Sequence, residues 1–111
     1  MSTDACRTLL NEVGESLRES ADAVHDIRRI RAALDGPDVE LRAFLESNEL
    51  WGGAGSLADQ AGMDLPSEAQ SRFHAALYQL GQEQLRQGIA NVRTQPWVNF
   101  LRRRPRMGNE L

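Results

Sequence analysis

The sequence has one cysteine, two histidines and no lysine, and these shortages exclude several kinds of site. Cys6 alone cannot form an internal disulfide or a cysteine-based zinc site, and its neighbours Leu9 and Leu10 indicate a small buried hydrophobe. His25 and His74 are too few for a metal centre unless carboxylates join them, and HExxH and ExxH spacings are absent. We therefore predict no metal ion and no cofactor.

The sequence also lacks a long hydrophobic run and the alternating pattern of strands. No segment approaches the roughly 18 apolar residues that a membrane span requires, and Met1-Ser2-Thr3-Asp4 has neither the basic nor the apolar region of a signal peptide. We expect a cytoplasmic protein without a membrane partner. Period-two alternation is absent, and the 111 residues, 41% hydrophobic and 26% charged, are typical of one globular domain.

Charge is distributed unevenly along the chain. The net charge is −3, with −5 in residues 1–50, −2 in residues 51–91 and +4 in residues 92–111. An acidic body argues against wrapping a nucleic-acid backbone and suits a basic protein partner, while a solvated acidic surface is the alternative. We place a single helical domain at residues 1–101 and a basic C-terminal tail at residues 102–111.

The hydrophobic pattern predicts an all-α, single-domain bundle of four to five helices with a long N-terminal helix. Apolar residues from Leu10 to Leu34 recur every three or four positions, the spacing of one helical face. This helix is predicted to begin near Ser2-Thr3-Asp4, whose side-chain oxygens can cap it, and to end at Asp35-Gly36-Pro37. A bend is expected near Gly14 or Ser20.

Shorter helices are predicted along the rest of the chain. Ser56 and Ser67 each open a capping-box pattern, which marks the start of a helix. The final helix is expected to bury Trp97, Phe100 and Leu101. These helices are predicted at residues 38–47, from 56 to a stop at Gly62, from 67 to 85 or 89, and from 94 to 101.

Residues 49–56 form an unusual glycine-rich loop. Gly52, Gly53 and Gly55 permit positive φ angles or close backbone approach. The segment Gly53–Ala58 satisfies a relaxed G-x-G-x-x-A pattern, but no strand precedes it and the Walker A lysine is missing. We interpret the loop as a structural turn that lets Trp51 pack, with anion or nucleotide binding as the alternative.

Residues 57–80 resemble the helix-turn-helix of bacterial regulators, in which small residues permit close packing before a recognition helix. The resemblance covers Leu57–Met63 and Ser67–Phe73, and it implies DNA binding. The turn Met63–Pro66 is longer than that motif allows, and acidic surroundings repel phosphates. The polar residues that would read bases are Gln70, Ser71, Arg72 and His74.

The segment Arg42–Gly62, with the sequence LWGGAGSLAD at Leu50–Asp59, is similar to small uncharacterised bacterial all-α proteins that carry a GGxGS turn between helices. The resemblance implies a fold element and supplies no catalytic residues. Small acidic bacterial helical proteins also include immunity proteins that neutralise toxins, which is an analogy of class.

We expect a non-enzymatic protein-interaction module, most concretely an immunity-like protein that neutralises a basic toxin. Carboxylate pairs such as Glu15 with Glu19 share a helical face, but solvated acidic stripes are commoner than acid–base pairs, and no nucleophile lies beside a convincing base. The alternative is a DNA-binding regulator using residues 57–80, and homo-oligomerisation is open. The candidate partner-binding residues are Asp22, Asp26, Glu40, Trp51, Gly52, Gly53, Gly55 and Ser56.

Overall fold

Glycine, proline and polar side chains divide the chain into short helices in the computed structural model, which describes residues 3–103. No strand occurs among these residues, so the all-α prediction is confirmed. The elements are α1 (Asp4–Ser16), a 3₁₀ turn (Ala21–Ala23), α2 (Val24–Asp35), α3 (Asp38–Leu45), α4 (Asn48–Trp51), α5 (Leu57–Gln60), α6 (Ser67–Gln87) and α7 (Thr94–Arg103).

The predicted long N-terminal helix is not observed, because the chain leaves the helical path between α1 and α2. The backbone of Ser20 is extended, with φ −85° and ψ 113°. The carboxylate of Asp64, from a distant loop, accepts hydrogen bonds from the Ser20 hydroxyl and from the backbone N–H of Asp22. Leu17 and Ala23 on either side of the break are both buried. The expected bend near Ser20 is therefore a full break that folds α2 back on α1, and the number of helical segments exceeds the predicted four to five.

Two of the predicted helix starts lack their side-chain caps. The hydroxyl of Thr3 donates to the Asp38 carboxylate at 2.9 Å and caps no backbone group of α1. At the start of α6, Pro66 occupies the N-cap, so Ser67 is already helical and the predicted capping box does not form. At α5 the box forms in altered shape, because Ser56 Oγ accepts from Asp59 N while the Asp59 carboxylate accepts from the N–H of Gly55.

Helix α6 ends at Gln87, within the predicted range of residues 85 to 89, whereas α5 ends at Gln60, before the stop predicted at Gly62. Gly62, after α5, has φ +77°, and Gly88, directly after α6, has φ +74°. Glycine adopts this conformation without the steric cost of a Cβ atom. At the end of α2, Arg7 instead supplies donors from another helix to the carbonyls of Leu34 at 2.7 Å and Gly36 at 3.1 Å.

The core lies mainly between α1 and α6, with α2 packed on α1 and α7 packed on α6. Cys6 is fully buried as predicted, and burial, together with the negative charge of Glu83, raises the pKa of its thiol. Its apolar packing matches the interpretation of a small hydrophobe. The fully buried apolar side chains of α1 and α6 are Cys6, Leu10, Val13, Phe73, Leu77 and Leu80.

Helices α6 and α7 approach closely at Gly81. A Cβ atom at this position would lie 2.5 Å from Cγ2 of Val98 and 3.2 Å from Cη2 of Trp51. Both of those side chains are fully buried and cannot move away cheaply. Helix α7 therefore packs against the backbone of α6 at this point.

Helix α7 differs from its prediction in two respects. Trp97 is half-buried and Leu101 is buried as expected, but Phe100 is 46% exposed, so its predicted burial was wrong. Val98 takes the buried position on that side of the helix. The helix also continues through Arg103, beyond the predicted domain boundary at residue 101. Residues 104–111 of the predicted basic tail lie outside the described residues.

Gln84 is a fully buried polar side chain at the centre of the fold. Its Oε1 accepts a hydrogen bond of 2.9 Å from the indole Nε1 of Trp51. Its Nε2 donates to the carbonyls of Leu45 and Ile89, each at 2.8 Å. The carboxamide is thus paired at both ends, which is the condition under which a polar group is tolerated in a core.

We expect Gln84→Leu to lower the free energy of unfolding by about 3 kcal/mol, because it leaves the Trp51 indole and two carbonyls buried without partners. Urea denaturation followed by circular dichroism measures this loss. The matched control is Gln82→Leu, since the Gln82 side chain bonds to Tyr78 Oη at the surface, and it should cost less than about 1 kcal/mol. Equal losses in the two variants would contradict a central role for Gln84.

Candidate functional site

The structure places part of the glycine-rich loop inside the core. Trp51 is fully buried, and its indole N–H is used by Gln84. The carbonyl of Gly52 accepts from Ser56 Oγ at 2.9 Å and from Trp97 Nε1 at 3.2 Å. Ser56 and Gly52 are also buried. The expectation that Trp51, Gly52 and Ser56 offer a surface to a partner is therefore corrected: they hold the loop against α7.

After Trp51 and Gly52, only the tip of this loop is exposed, at Gly53, Ala54 and Gly55. Gly55 has φ +89°, so it needs the conformational freedom of glycine. Its N–H donates to the carboxylate of Asp59 at 3.2 Å, which places a negative charge where an anion would have to bind. Arg93 covers Gly53, with Nη1 3.1 Å from the position of a Cβ atom. These contacts favour the structural interpretation of the loop.

The three predicted acidic contact residues are not brought together. Asp22 precedes α2 and Glu40 follows it, and a helix of 12 residues is about 18 Å long. Asp26 is mostly buried, with a side chain 15% exposed that forms a salt bridge of 2.5 Å with Arg29. Asp22 and Glu40 remain exposed, but they lie beyond opposite ends of α2.

Residues 57–80 offer few of the base-reading side chains that the helix-turn-helix resemblance implies. Gln70 donates to the carbonyls of Met63 at 3.1 Å and Leu65 at 2.9 Å, and so closes the turn before α6. His74 is half-buried beside Phe73, with ring centroids 5.4 Å apart. Ser71 is half-buried, and Arg72 is exposed.

An open groove of about 550 Å³ separates the C-terminal half of α1 from the N-terminal half of α6. Ala69, Ala75 and Ala76 on α6 leave this space open because their side chains are short. We call this surface the acidic groove. It is lined by Glu12, Glu15, Ser16, Arg18 and Glu19 on the α1 side and by Leu65, Ala69, Arg72, Ala75, Ala76 and Gln79 on the α6 side.

The carboxylates of the acidic groove differ in their pairing. Glu15 forms a solvent-exposed salt bridge of 3.4 Å with Arg18, while Glu12 and Glu19 have no salt bridge within the described part of the chain. Arg72 stands on the opposite wall, also without a salt bridge to a described residue. The lining therefore carries a net charge of −1, with its two unpaired carboxylates on the α1 wall.

One end of the groove is held by the same hydrogen bonds that break the N-terminal helix. Asp64 precedes Leu65, which lines the groove, and its carboxylate binds Ser20 and the backbone of Asp22. The hydrogen bond from the Ser20 hydroxyl, assisted by backbone N–H groups, lowers the pKa of Asp64. The backbone of Asp22 is thereby held beside Asp64, next to this end of the groove.

The sequence contains only part of the signal for this groove. The sequence predicts that Glu15 and Glu19 share a helical face, but the alanines of α6 are ordinary helix formers and do not by themselves indicate a groove. A stripe of small residues at helical spacing beside a charged helix was the available clue. This stripe indicates a groove only when α1 is known to pack on α6, and the periodicity of the sequence does not give that pairing.

No group of three or more His, Cys, Asp or Glu side chains among residues 3–103 is arranged to hold a metal ion. Over the same residues, the helices are too short or too polar to cross a bilayer. Compared with protein-family models, curated proteins and solved structures, the chain matches none of them. The surface itself therefore carries the functional argument.

We expect Asp64→Asn to lower the free energy of unfolding near neutral pH, with little effect in strong acid. Because the pKa is lowered in the folded state, the carboxylate's stabilisation is fully present above its ordinary value of 3.8 and is lost as the pH falls through the folded-state pKa. Urea denaturation of both proteins from pH 6 down to pH 2 measures the difference. Glu68→Gln, an exposed substitution, is the control, and a difference for Asp64→Asn that is constant across this range would exclude a role for the charge.

Proposed function

We propose that the protein is a non-enzymatic interaction module whose acidic groove binds a basic segment of a partner protein. The observation that supports it is the open groove itself, with unpaired carboxylates of Glu12 and Glu19 above a floor of alanines. In its most concrete form, the proposal is an immunity-like protein that neutralises a basic toxin.

The two kinds of side chain in the groove suit different parts of one ligand. The alanine floor accepts the apolar stems of Arg or Lys side chains, which can be buried while their charged ends stay at the rim. The glutamates attract those ends and speed encounter with a positively charged surface. Glu12 lies on α1 and Glu19 in the turn that follows it, and both line the groove, so each carboxylate can contact a basic side chain of one short segment.

The binding residues in the acidic groove differ from those expected from the sequence. Asp26 forms a salt bridge with Arg29, Glu40 lies beyond the far end of α2, and none of the three expected carboxylates is among the residues that line the acidic groove. Partner contact through Glu12, Glu15 and Glu19 uses the same excess of negative charge in residues 1–50. The expected partner is still a basic protein, but the surface proposed to bind it is now the acidic groove.

DNA binding through residues 57–80 has less support. Arg72 shares its groove with three glutamates, whose charges repel a phosphate backbone. Gln70 already bonds to two carbonyls of the preceding turn. The remaining polar side chains make too few contacts to fix a recognition helix on a duplex.

The probe for the groove is a labelled helical peptide whose successive turns carry alanine and arginine in alternation. At low ionic strength, we expect the triple variant Glu12→Gln, Glu15→Gln, Glu19→Gln to bind it about tenfold more weakly than the wild type. The estimate follows from a few tenths to about 1 kcal/mol for each exposed charge. Fluorescence anisotropy measures both affinities.

The matched control removes three exposed carboxylates outside the groove, with the substitutions Asp35→Asn, Glu40→Gln and Glu68→Gln. It changes the net charge equally and should keep nearly all of the affinity. An equal loss in both triple variants would show non-specific attraction and refute the groove. In a parallel measurement, binding to duplex DNA that is abolished by Arg72→Ala would support the regulator instead.

A further inference from the structure

The outer face of α7 presents apolar side chains to solvent. Pro96 and Phe100 are one helical turn apart on α7, and Val92 lies in the turn just before the helix; Val92 is 89% exposed and Phe100 is 46% exposed. Arg93 and Arg103 flank them, and both are exposed. We call these five residues the α7 ridge. The opposite side of the helix is buried against α6.

The α7 ridge is positively charged on a protein whose net charge is −3. Within residues 3–103, neither Arg93 nor Arg103 forms a salt bridge with a carboxylate. The neighbouring Arg102 donates to Tyr78 Oη at 3.3 Å and to Asn99 Oδ1 at 3.4 Å, and it has no salt bridge with another described residue. An apolar strip with unpaired arginines beside it fits an acidic surface with an apolar floor.

The acidic groove of the same protein is such a surface. Phe100 and Pro96 match its alanines in apolar character, and the ridge arginines are opposite in charge to Glu12 and Glu19, which form no salt bridge within residues 3–103. Two ridges placed against each other would bring arginines together and repel. Charge complementarity therefore favours a contact of ridge with groove.

One copy cannot make this contact with itself. Helix α7 packs on α6 at Gly81, whereas Arg72 of α6 lines the acidic groove. These two residues are nine positions apart, which is about half a turn around a helix of roughly 3.6 residues per turn. The ridge-bearing helix and the groove thus lie on opposite sides of α6, and the contact has to join different copies.

We propose that the acidic groove of one copy binds the α7 ridge of a second copy and forms a head-to-tail homo-oligomer. This inference rests on the proposed function, because it names a basic segment that the groove accepts. A head-to-tail contact uses two different patches, so each copy in a pair keeps one patch free and chains can extend. Self-association and capture of a basic partner then compete for the same groove.

Two variants test the acidic groove and the α7 ridge separately. The groove variant carries Glu12→Gln, Glu15→Gln and Glu19→Gln, and the ridge variant carries Arg93→Gln, Phe100→Ser and Arg103→Gln. Sedimentation velocity at low ionic strength should show a wild-type mass that rises with concentration and falls when salt is added. Each variant alone should stay monomeric, and their equimolar mixture should form dimers and nothing larger, since only one intact groove meets one intact ridge.

Thermal unfolding first establishes that both variants are folded. A wild type that stays monomeric at every concentration overturns the inference, and so does a mixture that fails to form dimers or a single variant that still associates. Binding of the monomeric wild type to anionic lipid vesicles through the ridge would also overturn it, in favour of a membrane surface. Peptide binding to the groove is measured separately, so its failure alone refutes the proposed function while self-association through the ridge stays measurable.

Discussion

The carboxamide of Gln84 joins parts of the chain that are far apart in sequence. Through it, α6 holds the last carbonyl of α3, the indole of Trp51 in α4 and the carbonyl of Ile89 after its own end. Each hydrogen bond contributes only about 1 kcal/mol to stability, but leaving any of these buried groups unpaired is costly. The three hydrogen bonds of Gln84 therefore fix where the corner between α3 and α4 lies against α6.

Both proposed surfaces depend on that placement of α6. One side of the helix packs on α1 and leaves the acidic groove, and the other carries α7 at Gly81. A second link reinforces the arrangement, because the Asn91 side chain donates to the carbonyls of Glu46 and Ser47 at 3.2 Å and 3.1 Å. The start of α7 is thereby tied to the same corner that Gln84 holds.

The features that local sequence predicts well are those decided by neighbouring residues. The end of α6 before Gly88 follows from left-handed backbone that glycine tolerates, and the burial of Cys6 follows from its apolar surroundings. The break near Ser20 was only partly visible, since its cause is the carboxylate of Asp64, 44 residues away. The missing cap at Ser67 shows the same limit, because Pro66 takes the position that the motif assigned to serine.

The candidate site was harder to predict than the fold. The sequence predicts a turn that lets Trp51 pack and also makes Trp51 a partner-binding candidate, and the hydrogen bond to the distant Gln84 decides for packing. The groove exists because Ala69, Ala75 and Ala76 lie opposite the glutamates of α1. Neither relation is encoded in periodicity, since each depends on how two helices meet.

The close approach at Gly81 constrains how this protein can change during evolution. A Cβ atom at residue 81 would collide with Val98, a β-branched side chain with little freedom to rotate in a helix. A larger residue at position 81 is compatible with this packing only where position 98 becomes smaller. In divergent descendants of this chain the two positions should vary as one unit, and their joint variation would record the α6–α7 contact in sequence alone.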